Sequence, residues 1–110
     1  MFWNKTPSAP AHVELEPAEV AARMQRGEIV LVDVREPNEI AAERIPGALV
    51  MSLSQFDPAK LPPGEVVLTC LGGKRSALAL AHCRRAGSEV KTHMRGGLAA
   101  WKAAGLPTTR

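Results

Sequence analysis

Ile29-Val30-Leu31-Val32-Asp33-Val34 is a short, almost wholly apolar run rich in β-branched side chains. A strand wetted on one face alternates apolar with polar residues, whereas one covered on both faces, as in a parallel sheet, does not. Val66-Val67-Leu68-Thr69 repeats the signal. Glu89-Val90-Lys91-Thr92-His93-Met94 alternates more, which predicts a half-covered or edge strand. Helices are predicted around these runs. Glu16-Pro17 opens one, because proline fits the first helical position, with Val20 and Met24 on its buried side and Gly27 as its stop. Others run from Pro37 to Ala42, from Arg75 to Ala86 and from Leu98 to Ala104, the last closed by Gly105 with Pro107 beyond it. Strands and helices alternating in this rhythm predict an α/β domain of three layers, a mainly parallel central sheet with helices on both faces.

A chain of 110 residues suits a single hydrophobic core. Residues 1–11, with two prolines and few apolar side chains after Trp3, read as a flexible N-terminal tail in which Phe2 and Trp3 are available to dock. Residues 12–110 form the expected domain. Lys and Arg total 14 against 11 Asp and Glu, a formal charge of +3. That is mild for a domain that grips nucleic acid, and it suits a small anionic substrate. Two cysteines build no disulfide scaffold, and neither a signal peptide nor a transmembrane segment is visible. The expectation is a soluble, cytoplasmic protein with reduced thiols and no membrane partner.

In open parallel sheets, ligands sit outside the carboxyl ends of the strands. Cys70 lies at such an end, in Thr69-Cys70-Leu71-Gly72-Gly73-Lys74-Arg75-Ser76. Two adjacent glycines let the backbone curl so that successive N–H groups point inward as an anion-binding nest. The helix expected to follow adds roughly half a positive charge at its N-terminus, and Lys74 and Arg75 add whole charges. A free cysteine titrates near pH ~8.5, and this environment favours its nucleophilic thiolate. The competing reading is a small buried hydrophobe at a strand end, with the glycines merely turning the chain. Glycines, cations and helix start together favour the chemical reading. A disulfide with Cys83 is a third possibility, but that residue lies about two helical turns on, roughly 12 Å from the helix start at ~1.5 Å per residue. Disulfide Cα atoms lie within about 7 Å of each other. Cys83 therefore reads as a packed helix residue beside Ala79 and Leu80.

From about Val13 to Pro107 the chain resembles the rhodanese (thiosulfate sulfurtransferase) family. Leu31-Val32-Asp33-Val34-Arg35-Glu36-Pro37-Asn38-Glu39, continuing to Ile45-Pro46-Gly47-Ala48, is similar to the family's first signature, and Cys70 to Ser76 to its active-site loop. Met94-Arg95-Gly96-Gly97-Leu98-Ala99-Ala100-Trp101, then Ala104-Gly105-Leu106-Pro107, is similar to its closing motif. The resemblance implies that Cys70 takes a sulfane sulfur from an anionic donor such as thiosulfate, becomes a persulfide, and passes the sulfur to cyanide, a thiol or a partner protein. The N–H groups of Leu71, Gly72, Gly73, Lys74 and Arg75 would hold the outer sulfur, Ser76 is counted with them as a substrate- and persulfide-binding residue, and no cofactor is implied. Cysteine-dependent phosphatases place five residues between cysteine and arginine so that the loop encircles a phosphate. Here only four residues separate Cys70 from Arg75, a smaller ring suited to one sulfur atom.

Asp33, Arg35 and Glu39 invite a reading as acid, anion binder and base. At the end of a buried strand, Asp33 and Arg35 are instead expected to satisfy each other and nearby backbone groups, supporting the site from behind. Arg35 keeps a second possibility, because a strand end in this fold faces the site. Glu43-Arg44 stands where the family often has Gly-His, so no role for that histidine is carried over, and Pro46-Gly47 shapes a turn. His12, His82 and His93 show no metal-site spacing, and each reads as solvated or satisfied. Gly96 and Gly97 are expected to let backbone approach the active loop closely, and Trp101 to fill core. Arg84 and Arg85 complement a helix C-terminus. Two rivals to a sulfurtransferase remain: a non-enzymatic binding or redox-sensing module that uses Cys70, and more distantly a cysteine-dependent phosphatase or arsenate reductase.

Overall fold

A computed structural model describes residues 12–110, so the tail expected at residues 1–11 and any docking by Phe2 and Trp3 lie outside the described residues. The two apolar runs form neighbouring strands, β2 (Val30–Asp33) and β4 (Val66–Thr69), at the middle of a five-stranded sheet. With β1 (Val13–Leu15), β3 (Leu49–Val50) and β5 (Thr92–Met94), the order across the sheet is β1-β5-β4-β2-β3, and every adjacent pair is parallel. The helices are α1 (Pro17–Gln25), α2 (Pro37–Ala42), α3 (Lys74–Arg85) and α4 (Gly97–Ala103). They start at or within a residue of the predicted positions, and α1 and α4 stop before Gly27 and Gly105 as expected.

Alternation along each strand divides the apolar side chains between two layers. Leu31, Val67 and Met94 pack with Val20 of α1 and with Leu98 and Trp101 of α4. Val32, Val66, Leu68 and Cys70 pack on the opposite face with Ala79, Leu80 and Cys83 of α3. β2 and β4 read as unbroken apolar runs because both faces are covered. Each fully buried Val or Leu there contributes about 1.5–3 kcal/mol of transfer free energy.

The edge strand expected at residues 89–94 is not one. β5 is buried along its whole length, between β1 and β4. The alternation came from Glu89 and Lys91, which precede the strand. The true edges are β1 and β3, three and two residues long, too short to show a period. Such short edges also limit pairing with another sheet. No helix among the described residues is long and apolar enough to cross a membrane.

Candidate active site

Cys70 follows β4 directly, at the carboxyl end of the sheet, and is only 1% exposed. Its Sγ accepts hydrogen bonds from the Gly73 N–H at 3.0 Å and the Ser76 N–H at 3.3 Å. Both donors belong to the turn that starts α3, so the positive ends of backbone dipoles converge on the sulfur and stabilise negative charge there. Gly73 makes the turn possible: it caps α3 with φ 104°, in the left-handed region that side chains avoid. Gly72 has no positive φ and open space around its α-carbon. The curl expected of two glycines thus falls on Gly73 alone.

The loop is held from behind by the start of α4. Leu98 N–H donates to the Cys70 carbonyl at 2.8 Å, and Ala99 N–H donates to the Leu71 carbonyl at 3.0 Å. A side chain on Gly97 would press to 2.6 Å from the Leu71 carbonyl, so the close approach expected of Gly96-Gly97 is met at Gly97.

Of the two loop cations, Lys74 is exposed. Arg75 is already engaged, because its guanidinium grips Glu39 in a two-pronged pair at 2.6 and 2.9 Å. That pair holds the Glu39 carboxyl down at about 2, chiefly through the Arg75 hydrogen bond and against an opposing effect of burial. Glu39 is therefore an ionised anchor rather than a base. It also accepts from the Glu36 N–H at 3.1 Å in the capping box of α2.

Arg35 does not face the site. Its Nε and Nη2 donate to the Asp33 carboxylate at 2.9–3.1 Å, both side chains being buried. The same guanidinium reaches the Glu43 carbonyl at 2.9 Å and the Glu39 carbonyl at 3.4 Å, tying down the carboxyl end of α2. Asp33 and Arg35 thus act through α2, which presents Glu39 to Arg75. Arg44 is exposed and pairs through its backbone with Thr109.

One group of residues was not assembled from the sequence. Ser76 Oγ lies 3.6 Å from Cys70 Sγ and 2.7 Å from His93 Nδ1, and His93 Nε2 lies 3.2 Å from Glu14 Oε2. The His12 ring stands edge-on to His93, with centroids 4.7 Å apart. His93 is satisfied at both ring nitrogens, and burial lowers its pKa, helped by His12 and opposed by Glu14. Alternation carried part of the signal: Met94 faces the α1 and α4 layer, so His93 must face α3. Cys83 is a free buried thiol on the inner side of α3, pushed up by burial. A cleft of about 600 Å³ lined by Glu65, Arg84, Ser88 and Lys91 opens at the opposite end of the sheet and does not touch the loop.

The Rhodanese-like domain family matches residues 16–104 of the chain. An uncharacterized protein of Synechocystis sp. is 42% identical over 106 residues, which cover 94% of this chain and 59% of the relative. The chain thus spans less than two thirds of that relative. A sulfurtransferase of Allochromatium vinosum is 39% identical over 83 residues, covering 73% of this chain and 78% of the relative. The crystal structure of a thiosulfate sulfurtransferase from Pseudomonas aeruginosa matches with a TM-score of 0.76 at 30% identity, over 97% of this chain and 21% of that one.

Proposed function

The chain belongs to the rhodanese-like domain family, and from that premise we propose that it is a sulfurtransferase whose nucleophile is Cys70. The thiolate attacks the outer sulfur of a donor such as thiosulfate. A new S–S bond forms at Sγ, the bond inside the donor breaks, and sulfite leaves with the electron pair. An acceptor, whether cyanide, a thiol or a partner protein, then attacks the outer sulfur of the persulfide and returns the thiolate.

The observation that carries this reading is the sulfur under two converging amides, 3.0 and 3.3 Å away, in a loop with four residues between Cys70 and Arg75. In the persulfide, the amides of Leu71 to Arg75 surround the added sulfur. Exposed Lys74 draws the anionic donor, and Arg75 frames the loop through Glu39. A phosphate-gripping loop needs its arginine turned inward on the substrate, whereas Arg75 is tied outward to a carboxylate. Leu71, 46% exposed beside Lys74, gives the rim an apolar contact for an acceptor thiol or carrier.

Incubation with thiosulfate should add the mass of one sulfur atom to the peptide containing Cys70, and Cys70→Ser should abolish the addition. A serine variant that transfers sulfur to cyanide at the wild-type rate overturns the proposal.

A further inference from the structure

We propose that His93, acting through the Ser76 hydroxyl, takes up the thiol proton of Cys70 and returns it, with Glu14 holding the imidazole in place. This rests on the reading of Cys70 as the nucleophile and extends it to the fate of the proton. Cys70, Ser76 and His93 are all buried, so water has little part in carrying that proton. A continuous path exists instead: Sγ to Ser76 Oγ at 3.6 Å, Oγ to His93 Nδ1 at 2.7 Å, and Nε2 to Glu14 Oε2 at 3.2 Å. It begins at an almost sealed sulfur and ends at a carboxylate whose side chain is 37% exposed.

The chemistry of the partners sets the direction. A carboxylate accepts only, so Nε2 carries a proton and donates it to Glu14, which leaves Nδ1 as an acceptor. The Ser76 hydroxyl has two acceptors in reach, Nδ1 at 2.7 Å and the Gly73 carbonyl at 3.2 Å, and Nδ1 is the nearer. Its oxygen then faces the Cys70 S–H. In the transfer the S–H bond breaks and a new O–H bond forms on Ser76, while the original hydroxyl proton passes to Nδ1. The products are a thiolate, held by two amides and a hydroxyl, and an imidazolium between Ser76 and Glu14. No electrons change hands and no further reactant is consumed.

The groups facing His93 agree with this assignment. Ser76 comes from α3, with Cys70 behind it at the end of β4; Glu14 comes from β1 and His12 immediately precedes that strand; and Arg95, just past β5, reaches Glu14 at 3.4 Å. Burial and His12 keep the resting imidazole neutral, hence able to accept, and Glu14 stabilises it once charged. β1 supplies Glu14 because it lies in register with β5, Glu14 opposite His93.

Alkylation of Cys70 by iodoacetamide consumes only thiolate and needs no sulfur donor. Its initial rate, assigned to Cys70 rather than Cys83 by peptide mass spectrometry, is measured from about pH 5 to about pH 9. Ser76→Ala and His93→Gln should each slow alkylation at neutral pH about tenfold and move the rising limb up by about one pH unit. The double variant should be no slower than the slower single one, because both residues serve one path. Glu14→Gln, at a half-open position that does not hold up the core, should move the limb the same way by less. Should His93→Gln not fold, Ser76→Ala and Glu14→Gln decide the matter. Profiles for those two that lie over wild type overturn the relay, and so do rates lowered equally at every pH, which mean lost structure and no proton path. A wild-type profile that responds as expected in a protein unable to take sulfur from thiosulfate overturns the sulfurtransferase reading and leaves the relay standing.

Discussion

Two polar networks, each running from a buried centre to a partly exposed end, flank the Cys70 loop, and they are built from different chemistry. On one side, Asp33 and Arg35 form an ion pair that ties down the end of α2, whose Glu39 grips Arg75. On the other, the hydroxyl of Ser76, the imidazole of His93 and the carboxylate of Glu14 form a chain. A guanidinium gripping a carboxylate through paired hydrogen bonds is a rigid clamp, so the first network holds shape. An imidazole is a group that takes up and gives back a proton, so the second can move a proton as well. The loop thus has a rigid side and a titratable side.

The strongest way to break this contrast is Arg35→Ala. It leaves Asp33 buried and unpaired and frees the carbonyls at the end of α2, and loss of one partner from such a pair costs about 3–5 kcal/mol. A large fall in the denaturant midpoint is expected, with no shift in the pH at which Cys70 becomes reactive in whatever fraction stays folded. A variant as stable as wild type would mean that the ion pair does not hold the loop's frame.

The two networks meet at the turn that starts α3, and the next effect is expected there. Gly73→Ala forces a side chain into the left-handed region at φ 104° and should cost about 1–3 kcal/mol. It should also draw the Gly73 N–H away from the sulfur and slow alkylation. Gly72→Ala, at a position with open space and no positive φ, should change stability by less than about 0.5 kcal/mol. Equal effects at the two glycines would return the curl to both of them.

How far the sequence could be read follows the same division. β2 and β4 were legible because a strand buried on both faces leaves an unbroken apolar run, and the loop was legible because a glycine turn, cations and a helix start are contiguous. Asp33 and Arg35, two positions apart, could be paired on the page. The Arg75–Glu39 pair spans 36 positions and the His93–Glu14 contact spans 79, and neither leaves a periodic trace. The second depends on β1, a three-residue strand that no alternation reveals. Missing β1 had two consequences: β5 looked like an edge, and His93 looked like a histidine without a task.

The smallest expected effect sharpens the contrast by acid. Glu39 has a folded pKa of about 2 against an ordinary 4.5, so the paired form favours the ionised carboxylate. Its contribution is fully present above about 4.5 and is lost as pH falls towards 2, because the folded state must then take up a proton that the unfolded state already holds. For a partly exposed pair, that contribution is expected to stay below about 1 kcal/mol. Glu39→Gln should therefore be slightly less stable than wild type at neutral pH, with the gap closing over that acid window. Thermal denaturation of both proteins across the window measures it. A gap that stays constant down to about pH 2 would mean that Arg75 is held by something other than the Glu39 charge, and the rigid side would then owe its shape to packing alone.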